Sequence, residues 1–136
     1  MPGPNQTLSK GFYVDAASNQ FKLQKLVPGA KEHVTQAGAG ELIVGVLQET
    51  VSAQDVTDGR IANIQMSGLA RVISGAAASG VIAIGDRLVA DASGCVKTAP
   101  AATAKQNQVG IALTASAATG DHLDIALTPG VQIDTA

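Results

Sequence analysis

No stretch of this chain keeps an apolar period near 3.6 residues over three helical turns. That one feature removes helical bundles and α/β folds from consideration, because a helix must present an apolar stripe to a core. What the chain has instead is a series of short apolar runs broken by Gly, Ser, Asp and Asn. Leu42-Ile43-Val44-Gly45-Val46-Leu47 and Val109 to Leu113 read as buried strands. Ala62, Ile64 and Met66 alternate with polar neighbours, and so do Leu123, Ile125 and Leu127. Alternation with period two is the pattern of a half-buried strand. Leu69 to Ile73, Val81 to Ile84 and Arg87 to Ala90 add further short runs, and Gln48 to Val56 has room for a helical turn or two. Turn signals roughly every 8 to 12 residues predict an all-β fold, a small barrel or sandwich of short strands.

The strands recur. Leu26-Val27 followed by Val34 matches Leu88-Val89 followed by Val96, 62 positions later. Val44-Gly45-Val46 matches Val109-Gly110-Ile111, 65 positions later. Gly59, Ala62, Ile64 and Met66 match Gly120, Leu123, Ile125 and Leu127, 61 positions later. Order and spacing agree in all three places, so the chain reads as two similar halves, about 21–74 and 81–136. They meet near the Gly75 to Gly80 stretch and together form a single β-rich domain, 21–136. The length of 136 residues suits one domain.

Residues 1–20 fall outside the repeat. Pro2, Gly3, Pro4 and Asn5 open a segment without clean periodicity, read as an extended N-terminal arm. The arm carries Leu8, Phe12 and Tyr13, which need burial somewhere. They either cap their own barrel or anchor the arm on a neighbouring subunit. In the second case the partner-binding residues are Pro2, Pro4, Leu8, Phe12 and Tyr13.

Composition narrows the function. The chain has no Trp, one Tyr and two Phe, all three aromatics within the first 21 residues. A core built from Val, Ile, Leu and Ala alone is thin, so association with partners is an attractive source of stability. Nine basic and eleven acidic residues give a net charge of -2 with no cationic stripe, which argues against direct nucleic-acid binding. No apolar run is long enough to span a bilayer, and no secretory leader is visible.

Chemistry is sparse. Cys95 has His33 and His122 as conceivable bases, but a catalytic thiol needs one of them beside it, and Cys95 reads as a surface or half-buried hairpin residue. Asp121, His122 and Asp124 hold too few ligands on one strand to bind a metal. Gly75 to Gly80 lacks the lysine of a phosphate-cradling loop. Gly85-Asp86-Arg87 reads as a turn with an exposed ion pair. No catalytic residue, cofactor or metal site is expected.

The stretch Val81-Ile82-Ala83-Ile84-Gly85-Asp86-Arg87-Leu88-Val89-Ala90-Asp91-Ala92-Ser93-Gly94 resembles the head decoration (cement) proteins of tailed bacteriophages. So does Gln108-Val109-Gly110-Ile111-Ala112-Leu113 through Ala118-Thr119-Gly120-Asp121 and its alternating final strand. The likeness covers about residues 40–130, although Asp58-Gly59 reverses the Gly-Asp order of the second half. It implies a structural virion protein that coats the outer capsid surface and stabilises contacts between major capsid subunits. It also implies a homotrimer assembled in the host cytoplasm, with no active site. The alternative is a β-rich receptor- or glycan-binding domain of a phage fibre or surface layer.

Overall fold

Ten strands and one short helix follow from these runs in a computed structural model, which describes residues 8–75, 81–99 and 105–134. The first five strands are β1 (Ser9–Val14), β2 (Leu23–Leu26), β3 (His33–Gln36), β4 (Gly45–Leu47) and β5 (Ile61–Gln65). They form a closed barrel in the order β1-β3-β2-β4-β5. Helix α1 (Ala53–Thr57) interrupts the run before β5. Ser52 caps it by accepting the Asp55 N–H at 3.1 Å, and Asp55 returns the bond to the Ser52 N–H at 3.0 Å, a reciprocal pair that satisfies two orphan donors. The second five are β6 (Gly68–Ile73), β7 (Arg87–Ala90), β8 (Val96–Thr98), β9 (Lys105–Ala112) and β10 (His122–Asp134). They form a sheet in the order β6-β10-β9-β7-β8.

The two orders are one order. Reading β1 as β6, β2 as β7, β3 as β8, β4 as β9 and β5 as β10 converts one half into the other, with all four antiparallel pairings kept. Gln65 pairs with Ser9 and Val46, and Ala126 pairs with Leu69 and Ile111. Gln24 pairs with Gln36 and Gly45, and Leu88 pairs with Thr98 and Gly110. The parallel closure of the barrel, Val14 with Val34, has its counterpart in a single parallel bridge from Ser74 to Val96. Even the isolated bridge Ser18–Val51 is repeated as Ile82–Ser116.

Two expectations need correction at this level. Of the arm predicted over residues 1–20, the part from Ser9 to Val14 is a strand hydrogen-bonded on both sides within the barrel, and 1–7 lie outside the described residues. Its side chains alternate, so that Phe12 and Val14 turn inward and are buried. The switch from one half to the other falls between Gln65 and Gly68, not at Gly75 to Gly80, because β6 belongs to the second sheet as β1 belongs to the first. Of the glycine stretch, 76–80 lie outside the described residues.

Each half has a core. Phe12, Val14, Val34, Leu47, Ala62 and Ile64 fill the barrel. The second core is larger and mixes the halves: Leu23, Ala37, Ile43 and Val46 of the first join Val72, Leu88, Val96, Leu123 and Ile125 of the second. Burial of this shared apolar surface is what holds the halves together.

Candidate docking interface

The residues singled out for chemistry are dispersed. Cys95 is buried at 5 % exposure, deeper than expected, and its Sγ accepts from Lys22 Nζ at 3.2 Å. Neither histidine is its partner. His33 Nδ1 lies 2.5 Å from Asp15 Oδ1 and its ring stacks on Tyr13 at 5.0 Å. His122 meets the Phe21 ring edge-on at 5.4 Å. Asp121 accepts from the Ala117 and Ala118 N–H groups at 3.0 Å, and Asp124 lies 3.4 Å from Arg71 Nε. The three candidate ligands Asp121, His122 and Asp124 thus face three different partners. Among the described residues, no three His, Cys, Asp or Glu side chains are grouped to hold a metal. Asp86 does not serve the ion pair expected with Arg87; it accepts from the Ala83 N–H at 2.9 Å and the Thr98 hydroxyl at 3.1 Å, closing the turn.

Several charged side chains are likewise in structural pairs. Lys10 holds Glu32 at 3.0 Å and Lys25 holds Glu41 at 2.5 Å. The lysine hydrogen bond in each pair keeps the carboxyl below its usual range, aided at Glu41 by the Gly38 N–H. Asp55 is lowered by its capping bonds to Ser52.

Apolar surface left in solvent is the unexplained feature. Leu8, Leu26 and Leu42 are 59 %, 56 % and 54 % exposed and converge on a groove of about 550 Å³. Lys25, Glu41, Val44, Met66, Pro129 and Gly130 line it too. The groove sits at one end of the first barrel, where Leu26 finishes β2 and Met66 follows β5. Pro129 and Gly130 belong to an irregularity in β10, where pairing with β9 lapses between Leu127 and Val131. A second apolar surface lies on the second sheet, where Ile111 and Leu69 flank Ala126 from the two neighbouring strands and Leu113 follows. Patches of this kind on a folded protein mark contact surfaces.

The predicted partner-binding residues divide. Leu8 reaches the groove. Phe12 is in the barrel core, and Tyr13 is half-buried against His33. Pro2 and Pro4 lie outside the described residues. The groove residues Leu26, Leu42 and Met66 were not foreseen. Their signal was present, since Leu26 and Met66 stand in the repeat at places whose counterparts are buried.

The family model for phage cement proteins matches residues 27–128. Among solved structures, the chain is similar to the N base of head fiber gp8.5 in bacteriophage phi29, with a TM-score of 0.66 and 17 % identity. That likeness covers 90 % of this chain and 95 % of the other, and it is one of fold. No curated protein matches the chain.

Proposed function

From the premise that this chain belongs to the phage cement protein family and is a structural, capsid-associated virion protein, we propose that it coats the outer face of the head and clamps neighbouring major capsid subunits. The observation that carries this reading is the extent of the match, which reaches from the turn before β3 into β10 and so takes in both halves. Exposed apolar surfaces fit a protein that completes itself on partners. Its work is binding, with no turnover, metal or cofactor: the titratable groups near Cys95 and Asp121 are tied into turns and pairs. Copies associate with one another, as a homotrimer, and many weak contacts per assembly add up to firm attachment. Leu8, with Pro2 and Pro4 ahead of it, supplies contacts to a neighbouring subunit; Phe12 serves the protein's own barrel. Assembly takes place in the host cytoplasm, on the capsid surface.

The glycan-binding reading draws no support from the aromatic residues. Phe12 is buried, Phe21 packs on the second core and Tyr13 leans on His33, so none forms a sugar-stacking platform.

Heads prepared without the protein supply the test. Purified protein added to them should bind to saturation and raise the temperature at which they release their DNA. Heads that bind none, or bind it and lose DNA at an unchanged temperature, would remove the proposal.

A further inference from the structure

Because the halves correspond register by register, each surface of one has an identifiable counterpart in the other. In the first half, Leu23 of β2 and Val46 of β4 are adjacent and fully buried. With Ile43 they form a plug that belongs to the same buried cluster as Ala90, Val109 and Leu127 of the second sheet. Backbone bonds fix the joint: the Leu23 N–H donates to the Gly94 carbonyl at 2.8 Å, and the Gly40 N–H to the Ala90 carbonyl at 3.0 Å.

Among the described residues, the counterparts of both surfaces are left uncovered. Ala90, Val109 and Leu127 correspond to Leu26, Val44 and Met66, and those three line the open groove. Leu23 and Val46 correspond to Arg87 and Ile111, which pair side by side in the same way and are exposed. Among the described residues, one socket is therefore left unfilled and one plug unused, and their equivalents are already joined inside the chain.

We propose that copies of this chain associate head to tail, the Ile111 face of one copy entering the groove of the next. The occupant is a second copy because the internal joint supplies the template for the contact. Apolar area is available on each side: Ile111, Leu69 and Leu113 on the plug, Leu8, Leu26 and Leu42 on the socket. Arg87 stands on the plug of the second half where Leu23 stands on that of the first. A contact between two unlike surfaces either closes into a ring or continues as a filament. A ring of three forms when each copy advances a third of a turn. This inference deepens the self-association proposed above and stands apart from capsid binding.

Sedimentation of the purified full chain, without capsids, tests it. The protein should form a closed oligomer as concentration rises. Ile111→Asp disables the plug and Leu26→Asp the socket, and each should weaken assembly by at least about tenfold. Mixed one to one, the two variants should form a heterodimer, since one intact plug and one intact socket remain. A symmetric interface of like surfaces gives no such rescue. Circular dichroism verifies folding, with Leu69→Asp and Leu42→Asp as the substitute pair if either variant misfolds. Wild type that stays monomeric at every concentration, or a mixture that stays monomeric, overturns the inference. A monomer that still decorates heads overturns it while leaving the capsid reading in place.

Discussion

Gln24 occupies in β2 the place that Leu88 occupies in β7, and both are fully buried. The amide meets an interior suited to an apolar side chain. Its Nε2 donates to Ser18 Oγ at 3.2 Å, but its Oε1 is a buried side-chain atom without a partner among the described residues. A buried acceptor left unpaired costs about 1–3 kcal/mol. Gln24→Leu removes it and keeps the volume close, and Ser18 Oγ retains Gln36 at 3.3 Å. The variant should gain about 1–2 kcal/mol in urea unfolding. A loss of stability would show that the Ser18 bond matters more than the orphan oxygen. Gly45 and Gly110 tell the opposite story, of a place where the repeats must agree. A Cβ at Gly45 falls 2.2 Å from the Gln65 carbonyl oxygen, and one at Gly110 falls 2.3 Å from the equivalent Ala126 oxygen. Backbone on the adjacent strand cannot retreat without breaking the ladder. Gly110→Ala should therefore destabilise by about 3 kcal/mol or more, measured by the same unfolding curves. A change within about 0.5 kcal/mol, as for a surface substitution, would refute it.

Elements were legible where the two halves share a constraint. The Val-Gly-Val and Val-Gly-Ile runs marked β4 and β9 at their true offset of 65, because the close approach of the neighbouring strand demands glycine in both. The alternating runs marked β5 and β10 at 61 for the same kind of reason, two faces with one buried. The offset was misread in β2. Leu26-Val27 was aligned with Leu88-Val89, whereas the pairings set Gln24 opposite the place of Leu88, two residues away. The apolar pair drew the alignment because the true counterpart of Leu88 is polar. Strand β1 was missed since Lys10 faces its inner line, where the second half has Ala70, so the alternation with Phe12 and Val14 began with a charge. The groove escaped sequence reading altogether, because exposure at Leu26 depends on what packs over the barrel end. Ion pairs supplement β1 and β2 where apolar contact stops: Lys10–Glu32 joins β1 to the turn before β3, and Lys25–Glu41 joins β2 to the loop before β4. Both carboxyls are held below their usual range by these lysines. A carboxyl lowered in the folded state contributes stability above its unfolded pKa and loses it as pH falls through the folded value. The melting temperature should thus be flat near neutrality and fall once pH drops below the usual carboxylate range. Glu41→Gln should make that fall shallower. A variant whose profile parallels wild type would mean that the pair adds nothing to acid sensitivity.

At the scale of the whole molecule, the halves are alike in topology but unequal in what they need. The first barrel closes on its own core, and its outer face, with Leu23 and Val46, is spent on the second sheet. Among the described residues, the second sheet closes only through the Ser74–Val96 bridge, and Ala70, Ala90, Val109 and Leu127 at its end are covered in a cluster shared with the first half. Split at Ser67, the chain should behave asymmetrically. A unit of about 65 residues buries a small share of its surface and tolerates little loss. Residues 1–67 keep every strand of the barrel and every residue of its core, so they should fold alone, with an exposed apolar face that promotes association. Residues 68–136 lose the plug and open the end of their core to water, as a repeat protein does without its cap. That piece should show no cooperative unfolding by itself and should gain it when 1–67 is added in equimolar amount. Far-ultraviolet circular dichroism of each piece and of the mixture measures this directly. Cooperative folding of 68–136 alone would mean that the second half supports its own core, and the free groove on the first barrel would then lose its claim to be an unfilled socket.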